Sequence, residues 1–138
     1  MSDIHASAIY RLVKAGRAPP AWGCYLTELP GADGTAVGTG AQNTADILSG
    51  CSELPIAASV AAAYLGPTGD TAGWFLPSKD ELDAMYQQRA LIGGFANETY
   101  FWTSSEIDLV NAWSQRFDGF QYPYGKIAPQ LVRPVRAF

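Results

Sequence analysis

Residues 100–125 read YFWTSSEIDLVNAWSQRFDGFQYPYG, and this stretch decides the fold. Its period is two. YFWTSSE (100–106) and AWSQRF (112–117) read as strands, with Ile107 to Asn111 between them. Asp118-Gly119 is a hairpin-type turn signal, and FQYPYG (120–125) follows as an aromatic loop or edge segment. Side chains alternate across a strand, so Trp113, Gln115 and Phe117 share one face, and Ser114, Arg116 and Asp118 share the other. The large apolar pair marks the first face as core. A slip of one residue would bury Arg116, which fixes the register and predicts that Ser114 and Arg116 face outward. Phe120, Tyr122 and Tyr124 continue beyond the turn. Three aromatics so closely spaced cannot all enter a small core, and such rings offer rigid contact area at low entropic cost.

Working outward, LVRPVRAF (131–138) reads as a terminal strand with Pro134 at an edge or bulge. Upstream, Ser78 and Glu81 form a capping box that opens SKDELDAMYQQR, the best-defined helix of the chain. IAASVAAAYL (56–65) predicts a second helix, begun after Pro55 and stopped by Gly66-Pro67. Asn43 or Thr44 is expected to cap a third that ends at Gly50. PGADGTAVGTG (30–40) is a loop, but without the GK[ST] ending of a phosphate loop. WGCYLTEL (22–29) is aromatic and predicts a first strand, which can pair with the last. Ser2 to Ala15 has helical apolar spacing, a stop at Gly16 and a stiff Pro19-Pro20 joint. Residues 1–20 are therefore expected to be a helical appendage for docking or oligomerisation, or a helix packed on its own domain, and 22–138 to be the main domain. Helices followed by a run of strands make the class α+β, with antiparallel sheet.

The 138 residues suffice for one domain, and 48% hydrophobic against 16% charged residues excludes a disordered chain. A net charge of -4 lacks the basic footprint of a phosphate-backbone binder, so no nucleic-acid partner is expected. One histidine, His5, and two cysteines argue against metal sites of the His and Cys type, and no cofactor is expected. Free thiols are favoured over a disulfide for Cys24 and Cys51. No apolar run is long enough to insert in a membrane. MSDIHASAIYRLVKAG is unlike a secretory signal, which leaves a cytoplasmic chain or one that leaves the cell by another route, such as within a phage particle.

At WFLPSKDEL, FWTSSE, NAW, FDG and VRPVRAF, and at GTAVGTGAQNTADIL upstream, residues 22–138 resemble the C-type-lectin-like domain of bacterial and phage surface proteins. That group includes the C-terminal domains of collagen-like adhesins and the variable proteins of diversity-generating retroelements. The resemblance implies two helices, small antiparallel sheets with paired termini, and a ligand-facing surface in the last third. The Glu-Pro-Asn, Gln-Pro-Asp and Trp-Asn-Asp tripeptides of calcium-dependent sugar binders do not occur, so calcium and sugar do not carry over. Cys24 and Cys51 also lack the motif context of the formylglycine-generating enzymes that share the fold.

Matched to the positions that variable proteins diversify, the resemblance and the strand parity together select Asp108, Ser114, Arg116, Phe120, Tyr122 and Tyr124 as a binding surface. The rival is that the aromatics merely cover the sheet edge. Other features read as structural. Trp74 and Trp102 are expected in the core, and the hydroxyls of Ser104 and Ser105 at turns. Asp80, Glu81 and Asp83 suit the positive end of a helix. Lys126, Arg133 and Arg136 make a local basic cluster, expected to pair with Glu106 or Asp118, the alternative being contact with an acidic ligand. No enzyme constellation is present. The expectation is a non-enzymatic display module of a phage virion, binding a host-surface protein or glycan and docked to a virion protein through residues 1–20 as a homo-oligomer. The alternatives are a purely structural decoration protein and a secreted or cell-surface adhesin domain.

Overall fold

The computed structural model describes residues 4–6, 19–64, 73–93 and 99–137. Among these, the helices are α1 (Gly40–Gly50), α2 (Ala57–Ala62), α3 (Lys79–Gln87) and α4 (Arg89–Ile92). The strands are β1 (Ile4–Ala6), β2 (Tyr100–Glu106), β3 (Asn111–Arg116), β4 (Gln121–Gly125) and β5 (Val135–Ala137). The protein is α+β. β2, β3 and β4 form an antiparallel meander, and β1 pairs with β5 in a separate antiparallel ribbon. FQYPYG, read as a loop or edge, is thus the edge strand β4.

Two cores lie on the two faces of the meander. Phe101 and Phe117 pack with Leu82 and Met85 of α3 and with Phe75 and Val135. Trp102 and Ala112, on the opposite face, join Trp22, Leu29, Ile47, Ile56 and Leu76. α3 begins as its sequence dictates. Ser78 Oγ accepts from the Glu81 N–H (3.3 Å), while the Ser78 N–H donates to Glu81 Oε1 (2.8 Å). The second oxygen of Glu81 accepts from the Gly38 N–H at 2.8 Å, which ties the glycine-rich loop to the helix. Any side chain at Gly40 would collide with this buried carboxylate.

Four expectations are corrected. Ile4–Ala6, inside the predicted N-terminal helix, is a strand, with Ile4 opposite Ala137 and Ala6 opposite Val135. Pairing with the exposed edge of β5 overrides local helical spacing there. The remainder of that helix, and its stop at Gly16, lie outside the described residues, as does the stop at Gly66-Pro67. The chain ends do pair, but through Ile4–Ala6 and not through 22–29. The predicted strand at 22–29 is irregular, with Cys24 at φ 59° and Leu26 at φ 67°, incompatible with a strand. Those turns carry Cys24 to Cys51, and the two form a disulfide in place of the expected free thiols. Asn43 and Thr44 do not cap α1 but lie buried within it. Asn43 Nδ2 donates to the Gly34 carbonyl (2.7 Å) and to Ser104 Oγ (3.2 Å), and Thr44 Oγ1 accepts from the Leu76 N–H (3.0 Å).

Candidate functional site: an aromatic face on the hairpin sheet

The β2–β3–β4 register places Trp102, Ser114 and Tyr122 in one cross-strand row, Tyr100 opposite Arg116, and Ala112 opposite Tyr124. Directly opposed residues share a face. One side of the meander therefore carries Tyr100, Trp102, Arg116, Tyr122 and Tyr124, and Phe120 joins them just before β4. Their rings form a continuous ladder. Centroids are 6.0 Å apart for Phe120–Tyr122, 6.0 Å for Tyr122–Tyr100, 5.5 Å for Tyr100–Tyr124 and 6.3 Å for Tyr124–Trp102. Tilted and edge-on contacts of this kind suit the ring quadrupoles and rigidify the row. The ladder runs from solvent into the core: Phe120 is 58% exposed, Tyr124 38%, and Trp102 fully buried.

Arg116 sits at the rim. Its Nε is 3.0 Å from Asp118 Oδ2, and its guanidinium lies 5.9 Å from the Tyr100 centroid. The pair is partly exposed, so it orients the arginine more than it stabilises the fold.

Behind Tyr100 and Tyr124 the face meets the segment that precedes β5. The Leu131 carbonyl accepts from the Trp102 N–H (2.9 Å), and the Leu131 N–H donates to the Tyr100 carbonyl (3.1 Å). Beside it lies Pro20, whose carbonyl accepts from the Gln130 N–H (3.1 Å) and the Trp102 indole N–H (3.2 Å). Between these elements opens a cleft of about 250 Å³ lined by Pro19, Tyr100, Tyr124, Pro129, Gln130 and Leu131 among others. Gln130 is 5% exposed, and its Oε1 is buried with no hydrogen-bond partner among the described residues.

No protein-family model matches this chain, and no curated protein was found to be similar to it.

The geometry sorts the six residues selected from the sequence. Arg116, Phe120, Tyr122 and Tyr124 come together on the aromatic face. Ser114 lies on the same face but is fully buried between Trp102 and Tyr122, which corrects its outward assignment. Large neighbours on both adjacent strands close over its short side chain, and Ser114 Oγ has no partner among the described residues. Asp108 is apart from the ladder, in the β2–β3 turn. Its Oδ1 accepts from the Val110 and Asn111 N–H groups, both at 2.8 Å. These backbone bonds, above all the one from Val110, hold its carboxyl below the ordinary aspartate pKa. It is a turn-forming residue in this structure.

The opposite side of β3 is covered by α3. Gln115 Nε2 donates to Asp83 Oδ1 (3.1 Å), and Lys79 Nζ lies 4.7 Å from the Trp113 centroid. Trp113 itself stays half-exposed at the margin of that face. Sequence reasoning missed Tyr100, Gln130 and Pro19-Pro20 as parts of the site. Tyr100 was available from parity, since it alternates with Trp102 on β2. Gln130 and Pro19 were not, because they reach the face through long-range backbone pairing.

Among the described residues, no group of three or more His, Cys, Asp or Glu side chains is placed to hold a metal ion. Among the same residues, no helix is long and apolar enough to cross a membrane. The arrangement offers stacking area, a rim cation at Arg116 and a buried acceptor at Gln130.

Proposed function

We propose that this chain is a non-enzymatic binding module that grips a host-surface protein or glycan through the aromatic face of β2–β4. The reading rests on one observation: a ladder of five rings, anchored in the core at Trp102 and open to solvent at Phe120 and Tyr124. Pre-ordered aromatics beside an arginine are the side chains that concentrate binding energy in protein interfaces. The α+β order and the antiparallel pairing of Ile4–Ala6 with Val135–Ala137 are compatible with the C-type-lectin-like fold that the sequence resembles. We assign the chain to that fold on the strength of those motifs. The Cys24–Cys51 disulfide favours a working place outside a reducing cytosol, in keeping with display on a phage particle. We further propose that residues 1–20, which join the domain at Ile4–Ala6 and Pro20, also serve particle docking and homo-oligomer formation.

The test uses the full chain, immobilised, against a glycan array and a displayed random-peptide library, beside an Arg116→Ala/Tyr122→Ala variant with an unchanged circular dichroism spectrum. Loss of the double side-chain contact is expected to weaken retained binders at least about tenfold, equivalent to ~1.4 kcal/mol. Binders that hold equally well to the variant, or no binders at all, overturn the proposal. Self-association of the wild-type chain through Phe120–Tyr124, seen by light scattering and abolished by Phe120→Asp, replaces it with the structural-decoration reading.

A further inference from the structure

The cleft between Tyr100, Tyr124 and residues 129–131 has a neighbour that indicates what fits it. Pro20 is already seated at its edge, with its carbonyl held by the Trp102 indole N–H (3.2 Å) and the Gln130 N–H (3.1 Å), and Pro19 forms part of the lining. A prolyl segment at a cleft walled by tyrosines, with a prolyl carbonyl taken by an indole donor, has the chemistry of polyproline II recognition in aromatic-lined grooves. We propose that the remaining space takes a proline-rich extended peptide of a partner protein, alongside this chain's own Pro19-Pro20. The proposal deepens the functional reading above and rests on its premise that the aromatic face binds a partner.

Four features select this ligand class. The rings of Tyr100 and Tyr124 meet at 67°, giving two walls and not one flat platform. The described residues that line the cleft carry no formal charge, which suits a ligand that is neutral where it touches them. Gln130 lines the cleft and its Oε1 is a buried acceptor without a partner among the described residues, so a side-chain rotation would offer it to the occasional N–H of a non-prolyl residue between prolines. A polyproline II segment is already extended, so ordering it costs little entropy. A neutral sugar ring also stacks on tyrosine, but it offers no counterpart to the prolyl segment already seated at the cleft edge, and oligosaccharides enter the test as competitors.

The probe is a fluorescein-labelled peptide of Ala-Pro-Pro repeats, with an Ala-Gly-Gly repeat as control and neutral oligosaccharides as competitors, titrated into the full chain. Saturable binding of the proline peptide, with no binding of the glycine control, is expected. Tyr124→Ala is expected to weaken it at least about tenfold, and Gln130→Met, which keeps the length but removes the acceptor, several-fold. Titration of the wild-type chain followed by NMR guards against a misfolded variant: the Trp102 indole, Gln130 and Leu131 signals must be among those that move. Equal affinity for the glycine control, binding that leaves those signals unmoved, or binding of the oligosaccharides alone overturns the inference. Binders from the library screen that still depend on Tyr122 while the proline peptide fails would overturn this inference and leave the broader reading standing.

Discussion

Lys126 is fully buried. Its Nζ lies 2.8 Å from Glu106 Oε2, donates to the Thr27 carbonyl (3.0 Å) and sits 4.8 Å from the Trp22 centroid. Glu106 also accepts from the Leu29 N–H. A buried charge is tolerable only while its partner remains, so Lys126→Met is expected to destabilise the fold by about 3–5 kcal/mol in urea unfolding. Adding Glu106→Gln to that variant is expected to recover part of the loss, because the stranded charge is then gone. The pairing of Lys126 with Glu106 was foreseeable among the basic residues near the C-terminus. Its burial was not, because it depends on the irregular 22–29 segment that closes over it. Asp108 offers a second single-residue test. An acid whose folded pKa is lowered contributes stability above its unfolded value, and that contribution is lost as pH falls through the folded pKa. A carboxyl-carbon NMR titration is therefore expected to place Asp108 below the ordinary aspartate value of about 3.9, with exchange protection of the Val110 amide falling on the same curve.

At the level of elements, local rules worked wherever a side chain and its partner are close in sequence. The capping box at Ser78 is an i to i+3 relation, and it is present as read. Ser78→Ala is expected to cost about 0.5–2 kcal/mol, toward the upper end because Ser78 Oγ also donates to the Ala36 carbonyl at 2.9 Å. Ser114→Ala, two elements away, is expected to be neutral or slightly stabilising, since the buried hydroxyl it removes has no partner among the described residues. Chemical denaturation of the two variants side by side checks both. Strand parity placed Phe117 and Gln115 on the helix-covered side correctly and put Ser114 with Arg116 as found. What parity alone did not show is that both faces of this meander are largely covered. α3 covers one, while Trp22, Leu29, Ile47 and Ile56 cover the Trp102 and Ala112 part of the other. The segments misread, 22–29 and Ile4–Ala6, are those whose conformation is imposed by distant partners: a disulfide in one case and a strand edge in the other.

For the molecule as a whole, the Cys24–Cys51 bond closes a sequence separation of 27 residues that spans the glycine-rich loop and α1. Loop-closure entropy gives such a link about 3–4 kcal/mol. Reduction, or a Cys24→Ala/Cys51→Ala variant, is expected to lower stability by that order in equilibrium unfolding, with the aromatic face retained at low denaturant. The α+β class, the antiparallel meander and most of the aromatic face were legible from residues 78–125 alone. The second wall of the cleft was not, because Pro19-Pro20 and Pro129–Leu131 are brought there by hydrogen bonds between segments far apart in the chain.

The ring ladder separates positions by what they tolerate. Its inner end is locked: Trp102 is sealed in the core, and Gly40, in the helix layer behind the sheet, has no room for any side chain. Its outer end is in contact with water at Asp118, Phe120 and Pro123, and exchanges at those three positions cost the fold little. The proposed recognition surface therefore coincides with the positions of one hairpin that the fold leaves free to change.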